Sequence, residues 1–190
     1  SYKIKEDDHM RRKDREMDRN FALAVTDKCE YATLGMTTPD GAPYCIPVTI
    51  VRIDDSIYFH TAKEGLKIDS LRKHPAVCLS CVGDTKRATD RFTTEFESAV
   101  INGTAVEVTD DEEKITALRG ICQRHTPSNM PDFDNAIERS LPRTGVWKIN
   151  IESITGKRKK FDKDGNEMKY GRKMKDWKIF LNHLQRISLM

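Results

Sequence analysis

The side chains best suited to do chemistry fall in one stretch, Ile57-Tyr58-Phe59-His60-Thr61-Ala62-Lys63-Glu64-Gly65-Leu66-Lys67-Ile68-Asp69-Ser70-Leu71. Ile57, Tyr58 and Phe59 favour a pleated, half-buried surface, so a strand runs into His60. Thr61 followed three residues later by Glu64 is a capping-box pattern, which places a helix start near Thr61 or Ala62. Ile68 and Leu71 share one stripe of that helix. It must end before His74-Pro75, because a residue preceding proline is pushed out of the α region. The first N–H groups of a helix have no internal partner and carry partial positive charge. They can hold an anion, with Lys67 reaching the same place and His60 beside it. The same residues also read as a capped surface helix with a solvated lysine and an incidental histidine.

Other signatures of chemistry are missing. The chain has no GxGxxG and no Walker-type loop, so no Rossmann or P-loop site is visible. It has no Gly-x-Ser-x-Gly elbow. Asp162-Lys163-Asp164-Gly165 lacks the spacing and closing glutamate of a calcium loop and reads as a hairpin turn. The five cysteines are Cys29, Cys45, Cys78, Cys81 and Cys122, an odd, scattered set that argues against a disulfide framework. Cys78 and Cys81 have CxxC spacing but sit in a strand-like run, where residues three apart face opposite ways. No second pair completes a zinc site. The five histidines, His9, His60, His74, His125 and His183, show no metal spacing, so no metal is expected.

The elements that must position His60 and Lys67 belong to one domain with a real core, which 190 residues allow, with an added helical piece. Hydrophobic residues are 37% and charged residues 33% of the chain. The net charge of +3 does not by itself argue for nucleic acid. No run approaches the roughly 18 apolar residues of a membrane span. Ser1 to Arg19 is charged and lacks a signal-peptide core, so a cytoplasmic location is expected. Residues 1–9 read as an N-terminal extension or cloning remnant. Met17, Phe21, Ala24 and Val25 predict a helix over 11–26. Strands follow at 31–38 and 44–53 around the Asp40-Gly41 turn, then a third at 56–60. Pro47 cannot donate to a ladder, so it marks an edge, a bulge or a contact site.

After the 62–73 helix come a strand at 76–82, a polar loop at 83–91 and a long β run at 93–108. Asn102-Gly103 marks a bulge in that run, and long bent strands suit a small closed barrel. Thr109 to Glu112 is a capping box opening a helix with Ile115, Leu118, Ile121 and Cys122 on one face. A loop with two prolines leads to a short helix through Phe133, Ile137 and Leu141. In 145–154, Trp147, Ile149, Ile151 and Ser153 form the core face. Lys157 to Lys160 reads as a solvated strand end. A terminal amphipathic helix is expected on Trp177, Phe180, Leu181, Leu184 and Ile187.

This order of elements resembles the flavin-binding split barrel of the pyridoxamine 5′-phosphate oxidase superfamily. Met10 to Met17 looks like the family's opening. Gly41-Ala42-Pro43-Tyr44-Cys45-Ile46-Pro47-Val48 is similar to its "G-x-P-Y-x-x-P-V" strand, and Ile57 to Lys67 to its "Y-F-H-x-A-x-x-G-x-K" turn. Phe96-Glu97-Ser98 and Ile154-Thr155-Gly156-Lys157 resemble two later signatures. Together they point to the branch with the Nim-type nitroimidazole resistance proteins, over roughly residues 10 to 160. Residues 161–190 fall outside the match as a basic C-terminal extension.

The resemblance implies a mainly β, α+β fold: a six-stranded antiparallel split barrel with peripheral helices. It implies a homodimer with FMN at the subunit interface. The backbone of Tyr44, Ile46, Pro47, Val48 and Thr49 would run along the flavin ring. His60 and Thr61 would lie near the flavin or its phosphate, Lys67 would pair with the phosphate, and Ser98 would add a hydrogen bond. His60 would be the catalytic residue. The family pattern usually has serine where this chain has Thr61, which keeps the hydroxyl. The activity implied is an FMN-dependent oxidoreductase acting on small electron-poor molecules, nitroimidazole-type compounds among them, with neither membrane nor nucleic acid as partner. A haem-binding or haem-degrading protein of the same fold, and a non-enzymatic flavin-binding protein, are the alternatives.

Overall fold

The computed structural model describes residues 10–170. In chain order they form β1 (Glu16–Met17), α1 (Arg19–Lys28), β2 (Ala32–Thr37), β3 (Pro43–Val48), β4 (Val51–Ile53), β5 (Ser56–Thr61), α2 (Leu66–Lys73), β6 (Ala76–Arg87), β7 (Thr94–Glu107), α3 (Asp111–His125), α4 (Phe133–Ser140) and β8 (Gly145–Lys159). All strands join one antiparallel sheet in the order β3-β2-β6-β7-β8-β5-β4, with β1 beside β8. The two edges, β3 and β4, are consecutive in the chain and joined through Thr49 and Ile50. The chain thus steps from one edge of the sheet to the other, and the sheet curls into an α+β split barrel with its helices outside. The six strands of the sequence become eight for two reasons. Thr49-Ile50 divides the 44–53 run, and Glu16-Met17 pairs with Lys157-Gly156.

Alternation builds two apolar layers. Leu34, Ile57, Phe59, Leu79, Ile101 and Ile149 fill the barrel with no exposed surface. Tyr58 and Val146 point the other way and pack with Leu118 and Phe133 under α3 and α4. The bulge at Asn102/Gly103 is present and redirects β8: Gly103 pairs with Ile151, but Asn102 pairs with Ser153. Ser153 therefore faces outward, against the expectation, and Ile154 opposite Ile101 takes its place against the core. Gly103 is obligatory here, because a Cβ would collide with the Asn150 carbonyl.

Several boundaries differ from those expected. The 11–26 helix is replaced by a 3-10 turn at Lys13–Arg15, β1, and α1 from Arg19. Asp18 sets that start by accepting the Phe21 N–H at 2.8 Å. The 83–91 loop is mostly strand, since β6 and β7 stay paired out to Arg87 and Thr94. The α3 cap is Asp110, one residue later than Thr109; it accepts from the Glu113 N–H. Asp162 forms the expected hairpin turn, accepting from Asp164 N and Asn166 N at 2.9 Å. The N-terminal extension at 1–9 and the helix on Trp177 to Ile187 lie outside the described residues.

Two polar clusters tie the layers together. The Arg124 guanidinium donates to Ile50 O at 2.8 Å and to Thr26 O at 3.1 Å, and also to Cys29 O. It thereby joins α3, the end of α1 and the crossover between sheet edges. At the opposite end, Arg15 meets Glu167 at 2.6 Å, and Lys169 meets Asp14 at 2.7 Å and Glu167 at 2.8 Å. Arg15, then Lys169, hold Glu167 down to about 2, while Arg12 and Lys169 depress Asp14.

Arg124→Met is expected to cost about 3 kcal/mol, from the loss of charge-assisted bonds to three carbonyls. Urea unfolding checks this; a change under about 0.5 kcal/mol would contradict it. The depressed carboxylates stabilise the 160–170 hairpin above their ordinary pKa, and the effect fades as pH falls toward about 2. Amide protection of residues 160–170 should drop over that window, sooner than protection of β7.

Candidate functional site

β5 ends at Thr61, paired with Gly145 of β8. Because Thr61 is held in the sheet, it caps nothing, and the capping box with Glu64 is not made. The turn comes instead from Gly65, whose φ of +109° favours glycine. α2 starts at Leu66 with no side-chain cap. It is anchored by Ile68, Ser70 and Leu71, all buried. Ile68 N and Asp69 N both donate to Gly65 O, at 2.8 and 3.1 Å. The N–H groups of Leu66 and Lys67 have no intrahelical acceptor by position.

Lys67 is half-buried and has no hydrogen-bond or ion-pair partner among the described residues. Burial pulls its pKa below the usual lysine value. His60 keeps an exposed surface, yet protein around its ring removes enough hydration to lower its pKa. The charges of Lys67 and then His125 act in the same direction. The neutral imidazole, with one N–H and one acceptor nitrogen, is thereby favoured.

His125 is the residue that sequence reasoning missed. It ends α3, and its Nε2 lies 2.9 Å from Ile50 O, the carbonyl that Arg124 also holds. Cations in the last turn of a helix are common, and nothing local in the sequence links Arg124-His125 to residue 50. The structure thus gathers Thr49-Ile50, His60, Lys67 and His125 around one corner of the barrel.

The remaining predicted residues divide. Tyr44, Ile46 and Val48 turn their side chains toward the core. Pro47 and Thr49 are exposed. β3 pairs with β2 along one side only, so Pro47 sits on an edge strand, as its missing N–H requires. The strand's other backbone edge is free to bond a ligand. Ser98 lies elsewhere. It pairs with Lys157, whereas His60 pairs with Val146. Those positions are roughly 36 Å apart along β8 at the usual rise per residue. Ser98 and His60 of one chain thus pair with opposite ends of β8, from its two sides.

Chemically, the corner offers unpaired helix N–H groups and an unpaired ammonium for an anion. It also offers a neutral imidazole for proton transfer and a strand edge for a planar polar ring. Among the described residues no group of His, Cys, Asp and Glu is arranged to hold a metal, and no helix is long and apolar enough to cross a membrane. Lys67→Met removes a positive charge near His60 and is expected to raise the His60 pKa. Following the ring protons by NMR across pH measures it; an unmoved midpoint would show that His60 does not feel Lys67.

A comparison with curated proteins finds no match. Solved structures share the fold. A candidate 5-nitroimidazole antibiotic resistance protein from Bacteroides thetaiotaomicron is 24% identical, with 75% of this chain and 86% of that one covered and a TM-score of 0.62. A flavocytochrome from Azotobacter vinelandii is 20% identical, covering 83% and 79%, with a TM-score of 0.58. An FAD- and haem-binding protein from Mycobacterium smegmatis is 17% identical, covering 84% of each chain, with a TM-score of 0.64. The family profile described as pyridoxamine 5′-phosphate oxidase matches residues 18–158, from the start of α1 almost to the end of β8. By that match the chain belongs to the pyridoxamine 5′-phosphate oxidase family.

Proposed function

We propose that the protein is an FMN-binding oxidoreductase that reduces small electron-poor molecules, nitro compounds among them. One observation carries this: an unpartnered, half-buried Lys67 at the uncapped N-terminus of α2, next to a neutral His60. A half-buried ammonium without a partner is costly unless a ligand supplies the counter-charge. The Leu66 and Lys67 N–H groups, the Lys67 ammonium and the Thr61 hydroxyl form a donor set of the kind a phosphate monoester needs. The free edge of β3 from Tyr44 to Thr49 suits the polar rim of an isoalloxazine ring, and Pro47 presents a flat surface without a competing donor. FMN would supply the electron transfer. His60 would hold a proton at its N–H and hand it to an acceptor atom on the substrate.

The separation of Ser98 from His60 supports a site made by two protomers. Ser98 stands on the outer face of β2, β6, β7 and β8. Ser80, Val82, Val100, Asn102 and Val106 share that face, with Val82 52% and Val100 38% exposed. In a chain that is one-third charged, a patch of Ser80, Val82, Ser98, Val100 and Asn102 with exposed valines, bordered by Lys157 across the β7–β8 ladder, suits a second copy of the chain. Paired there, Ser98 of one protomer would serve the cofactor held by Lys67 of the other. Two similar structures, a flavocytochrome and an FAD- and haem-binding protein, favour a redox cofactor. They also keep haem as the second reading, in which the exposed His60 would be the iron ligand.

The purified protein should show flavin absorption, release FMN on denaturation, and transfer electrons from a reduced nicotinamide to a nitroaromatic. A Soret band without flavin would favour haem, and a protein that binds neither would contradict both. Val82→Lys with Val100→Lys should convert a dimer to monomers in sedimentation and weaken FMN binding with it. A dimer that persists would place the interface elsewhere.

A further inference from the structure

The β6–β7 ladder continues past Ser98. Beyond the Val82–Ser98 pair its register shifts. It resumes as Thr85–Phe96, Lys86–Glu95 and Arg87–Thr94, a two-stranded arm growing from the end of the face that carries Ser98. The loop closing the arm carries Phe92, which is 113% exposed, so its ring touches almost nothing of its own chain. The arm is braced from behind. Arg91 donates to Gly165 O at 2.7 Å and lies 5.3 Å from the Phe161 ring. Phe161 N donates to Glu95 at 3.0 Å, and the Lys159 ammonium bonds the Thr93 hydroxyl. Lys86 and Arg87 have no ion-pair partner among the described residues. A braced arm that offers a bare aromatic ring, with Arg87 on the face away from the Glu95–Phe161 brace, is built to meet something outside its own protomer.

Geometry names the occupant. If Ser98 reaches the cofactor of the opposite protomer, the arm that rises from Ser98 stands over that same cofactor. We propose that the arm tip, Phe92 foremost, covers the site of the second copy and selects planar aromatic substrates by stacking, with Arg87, on the same face of the arm as Ser98, favouring those that carry electron-rich oxygens such as a nitro group. This rests on the two-protomer flavin site proposed above. It adds a specificity element that lies outside the flavin-contacting residues.

Phe92→p-benzoylphenylalanine in the full chain tests the placement without any activity. Dimers mixed from light and heavy nitrogen chains are irradiated and digested. The expected product joins the arm of one isotope to residues 44–49 or 60–67 of the other. Cross-links confined to one chain, or none to those segments, overturn the proposal. Cross-linking between chains in a protein that binds no flavin would confirm the arm's position and overturn the flavin reading instead. In FMN-loaded protein, Phe92→Ala should raise KM for a planar nitroaromatic roughly tenfold while kcat stays within about threefold. FMN affinity should be unchanged, and Phe92→Tyr should restore KM. An unchanged KM with FMN bound overturns the selecting role.

Discussion

The fold depends on how two residues are held. Thr49 and Ile50 carry the chain from β3 to β4, the two edges of the same sheet. The Ile50 side chain is wholly buried, and its carbonyl, out of any ladder, needs donors. Arg124 and His125, consecutive at the end of α3, both supply them. Arg124 also bonds the carbonyls that end α1. One cationic helix end thus satisfies backbone acceptors from two other elements, which fixes where the barrel closes. The same closure brings His125 near His60.

The candidate site follows from that closure rather than from a pocket. β5 delivers His60 to the corner, Gly65 turns the chain, and α2 presents bare N–H groups beside Lys67. Partial burial, and then Lys67 and His125, lower the His60 pKa and favour its neutral form, which has both an N–H and an acceptor nitrogen. An anion at Lys67 would relieve the local excess of positive charge. In the proposed function the protein would supply charge balance and proton placement, and electron transfer would be left to a bound cofactor. Fold alone does not name a reaction; these particular groups carry the argument.

Much of this was legible in the sequence. The β-rich runs, the Asn102-Gly103 bulge, the edge position of Pro47 and the α2 turn all have local causes. The failures share one cause, which is that distant partners override local signals. Thr61 and Glu64 spell a capping box, yet pairing with Gly145 keeps Thr61 in the sheet. Met17 fits a helical stripe, yet it pairs with Gly156. Polar residues 83–87 look like a loop, yet β7 takes them into a ladder. Ser153 alternates with the core residues, but the bulge on the neighbouring strand sends it outward. His125 carries no local mark because its partner, Ile50, is 75 residues away. Ser98 lies on the long strand, as its sequence context implies, but only the register shows that it is far from His60.

The corner at Lys67 is proposed as the phosphate site for a flavin. Comparing the affinity of the protein for FMN and for riboflavin tests it most directly, since the two ligands differ only in the phosphate. FMN should bind at least tenfold tighter, about 1.4 kcal/mol, and Lys67→Ala should remove most of the difference. Equal affinities for the two flavins, or a preference that survives Lys67→Ala intact, would contradict it.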